Sequence, residues 1–350
     1  MKVVVVGGGL VGTAVARALR SRGVDVVVVE RAVPGAEASW AAGGILSPQA
    51  ECDVDGPMLR LCLAGLRDTL ALCASLGDDA LLGLRRTGTL DVARTIEEQA
   101  ALQARVAWQQ QAGLSAEWLT SSEVRARFNV CAQEGAAFFG GEAALEPRRF
   151  FELLRASAQS SGVRSVTGRR VIAVEPQRVI LDEGTLQGDA VVVCAGAWTA
   201  QVQGSGVDPA MIFPVRGQMV ELQGDQGFDV VVYGHGGYAV PRADGRVVVG
   251  STMEHAGYEK AVTAGGLLKV LQTATSLSPA LAEAPVLSTW AGLRPASRDG
   301  LPLLGRAKTG VWVASGHFRN GVLLAAVSGE RLAAAIVDDV AVDPAFDPSR

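Results

Sequence analysis

Cysteine, histidine, tyrosine and lysine are all scarce in this chain of 350 residues. The five cysteines are an odd number with no CxxC pair, which predicts free thiols in a reducing compartment. The three histidines form no cluster with cysteines or carboxylates at metal-ligand spacing, and HExxH and GxSxG motifs are absent. Metal and serine-hydrolase chemistry therefore have no support in the sequence. The net charge of −4 offers no basic surface to nucleic acid.

Long apolar runs are missing as well. No run approaches the roughly 18 residues that span a bilayer, and the first residues lack the three regions of a signal peptide. We therefore expect a cytoplasmic protein without a membrane span. The chain is 49% hydrophobic, which suits a sizeable core in one large or two closely joined domains.

The sequence opens with a βαβ unit. A strand over Lys2–Val6 leads into Gly7-x-Gly9-x-x-Gly12, followed by a helix over Leu10–Ser21 and a strand over Val26–Glu30. The glycines allow a tight turn and let a pyrophosphate approach the helix N-terminus. Glu30 can accept hydrogen bonds from the ribose hydroxyls of an adenosine and disfavours a 2′-phosphate.

The alternative is that these glycines only form a tight turn. The complete strand, glycine, helix and acidic-residue order favours a dinucleotide instead. The fingerprint does not separate FAD from NAD, and no second GxGxxG follows it, so a single cofactor has to perform the redox chemistry.

Later segments alternate between helical and strand patterns. Helices are predicted over Pro57–Gly77, Thr95–Gln111, Ser121–Phe128, Pro147–Ser160, Ala264–Thr275 and Gly321–Val337, with a capping box at Thr120 and Glu123. Strands are predicted over Gly88–Val92, Ala136–Leu145, Arg170–Glu175, Arg178–Leu181, Thr185–Gln187, Ala190–Cys194, Phe213–Leu222, Val230–Tyr233, Gly237–Pro241, Arg246–Thr252 and Val311–Ala314. The pattern indicates an α/β (α+β overall) protein with a second, mainly antiparallel sheet.

Three further motifs carry a family resemblance: Ala41-Ala42-Gly43-Gly44, Ala195-Gly196-Ala197-Trp198 and Gly316-His317-Phe318-Arg319-Asn320-Gly321. With the opening fingerprint, they make the sequence resemble the FAD-dependent D-amino-acid oxidase family from end to end. The segments Gly237–Arg242, Gly250–Met253 and Trp290–Pro295 look most like the glycine oxidase branch, which serves thiamine biosynthesis.

The resemblance implies a glutathione-reductase-like, Rossmann-type FAD domain and a discontinuous substrate domain with an antiparallel sheet. We expect residues 1–80, 147–210 and 290–350 in the FAD-binding domain and residues 81–146 and 211–289 in the substrate-binding domain. Related sarcosine oxidases attach FAD through a C-terminal cysteine, but none follows Cys194, so we expect noncovalent FAD.

Together with the fingerprint, the resemblance implies cofactor contacts from many short segments. These fall on Gly7, Gly9, Leu10, Val11, Gly12, Glu30, Arg31, Ala38, Ser39, Gly43, Gly44, Ile45, Val171, Ala195, Gly196, His317, Phe318, Arg319, Asn320, Gly321, Val322 and Leu323. Backbone N–H groups of the loop before Gly321 would face the flavin and stabilise its reduced, anionic form. The alternative is that Gly316–Gly321 is an ordinary surface turn.

An amino-acid oxidase has to hold the substrate carboxylate, and a guanidinium does so with two hydrogen bonds. The motif points to Arg294, which we expect at the end of a strand, although most arginines are solvated. Tyr238 could donate to the same carboxylate or be a simple sheet residue, and Arg319 could add charge nearby. Met253 and Ile45 are expected to line a pocket for small amines. Glycine oxidases often have methionine at the position of Ile45.

The implied activity is oxidative deamination of glycine, sarcosine and small D-amino acids to the imine and 2-oxo acid, with ammonia and H₂O₂ as further products. No side-chain base is required. Alternatives are a dehydrogenase of the same fold that passes electrons to a quinone or protein, a noncatalytic flavin-binding subunit, and a relative of the oxidase domain that acts in tRNA modification. The family often forms tetramers, so a homo-oligomer is possible.

Overall fold

The computed structural model describes residues 1–224 and 227–350. Its helices are α1 (Leu10–Ser21), α2 (Ala38–Ala41), α3 (Pro57–Leu76), α4 (Asp79–Leu82), α5 (Ile96–Gln111), α6 (Ser121–Phe128), α7 (Pro147–Ser160), α8 (Ala264–Leu277) and α9 (Gly321–Val337). Its strands are β1 (Lys2–Val6), β2 (Asp25–Glu30), β3 (Ile45–Leu46), β4 (Thr89–Val92), β5 (Glu117–Leu119), β6 (Ala136–Phe139), β7 (Ala143–Ala144), β8 (Arg164–Thr167), β9 (Val171–Glu175), β10 (Arg178–Leu181), β11 (Thr185–Gln187), β12 (Ala190–Val193), β13 (Ile212–Gln223), β14 (Val231–Gly234), β15 (Gly237–Pro241), β16 (Arg246–Gly250), β17 (Val286–Ser297), β18 (Leu303–Arg306) and β19 (Trp312–Ser315).

A six-stranded sheet forms the first half of the fold, in the order β18-β19-β12-β1-β2-β8. The strands β19, β12, β1, β2 and β8 are mutually parallel, and only β18 is antiparallel to its neighbour. The valines of β1 and β12 are buried on both faces, as expected where helices cover a parallel sheet. The predicted βαβ opening is confirmed.

An eight-stranded sheet forms the second half, in the order β17-β13-β16-β15-β14-β4-β6-β5. All neighbours are antiparallel except β14 and β4. The prediction of a second, mainly antiparallel sheet is therefore confirmed. The strands β13 and β17 pair from Ile212↔Ser297 to Leu222↔Val286, so the predicted domain boundary at residue 290 falls inside one strand.

Two local predictions are wrong. The segment Ala136–Leu145 is not one continuous strand, because Gly140 and Gly141 form a turn after which β7 pairs with β3 instead of β4. Arg294 does not end a strand, because β17 continues to Ser297. Pro295 fits inside β17 because this strand lies at the edge of its sheet, where a missing N–H is tolerated.

The longest apolar helix is part of the core. Among the described residues, one helical stretch, Phe318–Val337, is long and apolar enough to cross a membrane, with a mean hydropathy of 1.4. However, 67% of that window is buried inside the protein. Its small residues pack closely on α1, since a Cβ at Gly329 would lie 2.8 Å from the Ala14 backbone.

The segment before β3 joins the two sheets. The buried Arg242, which directly follows β15, donates to the carbonyls of Gly43 and Leu145, each at 2.8 Å. Trp290 of β17 donates from its indole N–H to the Ala41 carbonyl at 3.1 Å. These three bonds satisfy main-chain acceptors at the last residue of α2 and in the irregular segments after α2 and β7. They hold the Ala41–Gly44 motif, which the sequence analysis singled out, against the second sheet.

Candidate cofactor and substrate site

One elongated cavity of about 470 Å³ lies between the two sheets. Nearly all of the predicted site residues line it: Gly7, Gly9, Leu10, Val11, Glu30, Arg31, Ala38, Ser39, Gly43, Gly44, Ile45, Val171, Ala195, Gly196, Tyr238, Arg294, His317, Phe318, Arg319, Asn320, Gly321 and Val322. Three do not, namely Gly12, Met253 and Leu323. Segments far apart in sequence therefore meet around one space.

The glycine fingerprint works through close backbone approach. Gly7 has a φ of +104°, and a Cβ there would lie 2.4 Å from the Cys194 carbonyl oxygen. A Cβ at Gly12 would lie 2.0 Å from the Gly7 carbonyl oxygen. Gly12 therefore lets α1 pack against the end of β1 and does not itself face the cavity. Gly9, by contrast, exposes its main chain to the cavity beside Ser39.

Glu30 is held at the end of β2 by two backbone amides. Its Oε2 accepts from Gly8 N at 2.9 Å, and its Oε1 accepts from Ala32 N at 3.0 Å. A carboxylate has about four acceptor positions, so two remain for the hydroxyls of a ribose. Ser39 Oγ accepts from Leu10 N at 2.9 Å and fixes the first turn of α1 from across the cavity.

The terminal loop is mostly buried. Gly316 has a φ of +76°, His317 is 2% exposed and Asn320 is 9% exposed. The interpretation as an ordinary surface turn is therefore wrong. His317 Nε2 lies 2.9 Å from Ser328 Oγ on α9, and burial lowers the pKa of His317 to about 4. The imidazole is neutral and fixes the loop, while the first turn of α9, which no side chain caps, faces the cavity.

Arg294 extends from β17 across its neighbour β13. Its Nη1 donates to the Thr252 carbonyl at 3.2 Å, and its Nη2 donates to Ser251 Oγ. Both acceptors are neutral, so the positive charge of the guanidinium has no carboxylate partner among the described residues. A partly buried cation with unused N–H donors is suited to bind an incoming carboxylate.

A second polar group, which sequence reasoning missed, lies at the β14 side of the cavity. Glu51 Oε1 accepts from Tyr233 Oη at 2.6 Å and from Arg319 Nη2 at 2.9 Å. Burial, and then the Glu51 carboxylate, raise the pKa of Tyr233 well above its usual value, so the phenol remains a donor. Tyr238 lies beside it, with ring centroids 5.8 Å apart and its hydroxyl donating to Met219 Sδ at 3.4 Å.

Glu51 is positioned by a buried polar cluster formed by Ser47, Gln49, Thr89, Gln109 and Glu142. The Glu142 carboxyl accepts from Gln49 N at 2.6 Å and from Ala50 N at 3.1 Å, immediately before Glu51. Burial raises the pKa of Glu142 to about 7. These residues belong to no shared motif, so their contacts could not be predicted from spacing along the chain.

The structure does not bring Met253 to the cavity, because that residue is 61% exposed. Leu323 is fully buried behind the loop, where its carbonyl accepts from Thr69 Oγ1 at 3.0 Å. Ile45 does line the cavity, on β3. The apolar wall near the second sheet also includes Met219, which the sequence did not single out.

The groups that line the cavity fit a flavin dinucleotide. A side-chain-free turn at a helix N-terminus and a fixed carboxylate suit a pyrophosphate and a ribose, and a second helix N-terminus faces the far end of the same cavity. The fold and the site thus define an oxidoreductase of the FAD-binding class. The model of the FAD dependent oxidoreductase family (DAO) matches residues 2–335, and the chain belongs to this family.

Known relatives match almost the whole chain. A glycine oxidase of Pseudomonas aeruginosa is 33% identical over 350 residues, covering 95% of this chain and 93% of the relative. The crystal structure of a glycine oxidase from Geobacillus kaustophilus superposes with a TM-score of 0.93 at 29% identity, covering 99% of this chain and 98% of the other. An iminodiacetate oxidase from Chelativorans sp. BNC1 superposes with a TM-score of 0.86 at 27% identity, covering 99% and 98%.

Proposed function

We propose that this protein is an amino-acid oxidase that acts on glycine and other small amines, such as sarcosine and small D-amino acids. The products are the imine and then the 2-oxo acid, ammonia and H₂O₂, and the reaction contributes to thiamine biosynthesis. The main observation in support of this function is the position of the Arg294 guanidinium. It lines the cavity without a carboxylate partner among the described residues. The whole-length match to glycine oxidases supports the same substrate class.

Different segments around the cavity would bind different parts of the cofactor. The Gly7–Val11 turn would hold the pyrophosphate, Glu30 the ribose, and the His317–Val322 loop the redox-active ring. FAD held there would supply the redox chemistry, in which two electrons pass from the amine substrate to dioxygen and give H₂O₂. In the described cavity no cysteine side chain other than that of Cys194 is near, and it lies buried at 7% exposure, consistent with a noncovalent cofactor.

Arg294 would bind the substrate carboxylate through its remaining N–H donors. Ser251 and Thr252 hold the guanidinium plane from one side, so the bidentate face is oriented before the substrate arrives. Tyr238 would place its hydroxyl beside the same ligand by leaving Met219 Sδ, a weak acceptor. Together, Arg294 and Tyr238 would orient the α-carbon of the substrate within the cavity.

Proton removal needs no side-chain base at this end of the cavity. Glu51 Oε1 already accepts two hydrogen bonds, and Tyr233 keeps its proton. Arg294 has no carboxylate partner among the described residues, so its positive charge favours a substrate whose amine has already lost its proton to solvent. Catalysis would then depend on orientation and on exclusion of water, to which the buried loop residues Ser315, His317 and Asn320 would contribute.

The test combines a spectrum with a product assay. The purified protein should show flavin absorption that bleaches with glycine or sarcosine without oxygen, and it should release stoichiometric H₂O₂ in air. Bleaching without peroxide would indicate the dehydrogenase, and absence of bleaching with any amine, including D-alanine and D-proline, would indicate a noncatalytic subunit. We also expect a cytoplasmic homotetramer, which fractionation and light scattering after gel filtration would test.

A further inference from the structure

The floor of the cavity carries its polar groups at two separated places. Arg294 lies on β17 and Tyr233 on β14, with β13, β16 and β15 between their strands. Arg319 approaches the Tyr233 side from the terminal loop, with its Cζ 5.8 Å from the Tyr233 ring centroid. Both places line the same cavity, which therefore has one cation at the first place and an ion pair at the second.

The charge at the second place is cancelled by Glu51. The Arg319–Glu51 distance is 2.9 Å, and the Glu51 side chain is only 11% exposed. The Arg319 side chain is 33% exposed, so solvent partly screens the pair on the arginine side while the Glu51 carboxylate lies on the buried side. At these two places, and counting the described residues alone, Arg294 supplies the single uncompensated charge, so together they carry one net positive charge. One net positive charge can neutralise one substrate carboxylate, and no positive charge remains to neutralise a second.

Glu51 is also held in place independently of any ligand. Its main chain donates to the Ser47 carbonyl at 3.2 Å, and the two preceding amides donate to the buried Glu142 carboxyl. Tyr233 fixes the carboxylate from the other side. A second anionic group entering here would have to face a carboxylate that cannot turn away.

We propose that Glu51 is the specificity-determining residue that limits the enzyme to monocarboxylates, by neutralising Arg319 and repelling a second carboxylate on the substrate. This inference rests on the proposed function. Substituted glycines with a neutral N-substituent are accepted, whereas N-carboxymethyl glycine is excluded by charge and not by size. Removing the negative charge would leave Arg319 free to pair with the second carboxylate.

The test compares ligands that differ by one carboxylate. Sarcosine and iminodiacetate form one pair for turnover, and methoxyacetate and oxydiacetate, which have no amine to oxidise, form a second pair for equilibrium binding followed by the flavin spectrum. In Glu51→Gln we expect the ratio of kcat/KM for iminodiacetate to that for sarcosine to rise by about tenfold or more, as loss of one nearby charge repulsion implies. The oxydiacetate to methoxyacetate affinity ratio should rise with it.

Three variants make the result specific. Glu51→Asp keeps the charge and should keep the exclusion of iminodiacetate. Asp53→Asn removes a charge two residues away, on a side chain that is 76% exposed and pairs with Arg105, and should leave both ratios unchanged. Glu51→Ala removes the charge and puts no amide in its place. It replaces Glu51→Gln in the comparison if Glu51→Gln does not retain FAD.

The outcomes separate this inference from the proposed function. No oxidation of glycine or sarcosine by the wild type would overturn the proposed function, while the binding ratios would still test Glu51. Wild-type turnover of sarcosine combined with unchanged ratios in Glu51→Gln and Glu51→Ala would overturn the role of Glu51. Equal use of sarcosine and iminodiacetate by the wild type would overturn it as well.

Discussion

The guanidinium of Arg294 occupies the space that a side chain at Gly217 would fill. A Cβ built on Gly217 would lie 2.2 Å from both Nη1 and Nη2 of Arg294. Gly217 pairs with Gly292 across β13 and β17, so two side-chain-free positions face each other beneath the arginine. The absence of a side chain at residue 217 is therefore a requirement for the position of the carboxylate-binding group.

The first prediction follows from that contact. Gly217→Ala should displace the guanidinium from Ser251 and Thr252 and raise KM for sarcosine by about tenfold to a hundredfold, since a misplaced charged hydrogen bond costs ~1.5–3 kcal/mol. FAD content should change little, because the three atoms nearest to a Cβ at Gly217 all belong to Arg294. Gly265→Ala, at a helical site where a Cβ meets nothing within 4 Å, is the control. A normal KM in Gly217→Ala would refute the steric argument.

Removal of Arg294 itself should have a larger effect. Arg294→Ala should raise KM by about a hundredfold or more with FAD still bound, because a charge-assisted bidentate contact is lost. Arg294→Lys should recover only part of the affinity, since an ammonium cannot form the planar pair. Steady-state kinetics with sarcosine and the flavin spectrum of each purified variant measure the two effects. An unchanged KM in Arg294→Ala would exclude this residue from substrate binding.

Glu30→Gln should weaken FAD retention without unfolding the protein. The amide offers one acceptor where Glu30 now accepts from Gly8 N and Ala32 N, and it presents a donor to one of them. We expect the Kd for FAD to rise by about tenfold or more, which titration of the stripped protein would measure. Glu183→Gln, at an exposed site, should bind FAD like the wild type. Full retention by Glu30→Gln would show that the ribose does not depend on this carboxylate.

The stability of the protein should fall in acid through His317. Burial lowers the pKa of His317 to about 4, below the ordinary value of 6.5 in the unfolded chain. The folded state therefore binds the proton less readily, so this contribution is fully present above pH 6.5 and is lost as the pH falls toward 4. Urea unfolding at pH 7 and pH 5 should show a smaller loss of stability in His317→Gln than in the wild type. His255 is exposed, so His255→Gln should lose as much unfolding free energy between pH 7 and pH 5 as the wild type. The same loss of unfolding free energy in all three proteins would contradict the prediction.

Much of the fold was predictable because its strongest signals are local. The valine runs of β1 and β12 and the small residues of α9 reveal burial by composition, and the glycine fingerprint lies within six positions of the chain. The polar strand β8 and the two-residue strands β3 and β7 carry no such pattern. Their pairing depends on which distant strand lies next to them, and that is decided by tertiary packing.

The candidate site divides along the same line. Residues in motifs, such as Glu30 and Arg294, line the predicted cavity. Glu51 and Tyr233 do not belong to a motif, and Glu51 meets Tyr233 and Arg319 across separations of 182 and 268 residues. Met253 shows the opposite case, because a motif match placed it in the pocket while its backbone carries the side chain to the surface. Spacing along the chain predicts partners only when both lie on the same element or turn.

The burial of the His317–Val322 loop also orders events during protein synthesis. The turn that begins at Gly7 leaves the ribosome first, but the groups that complete the same cavity follow more than 300 residues later. A growing chain that ends before β19 has no neighbour for the outer edge of β12 and no α9 to cover α1. Such a chain can form the adenosine half of the cradle but cannot enclose the ring. Enclosure of the flavin ring is therefore one of the last steps in the maturation of this enzyme.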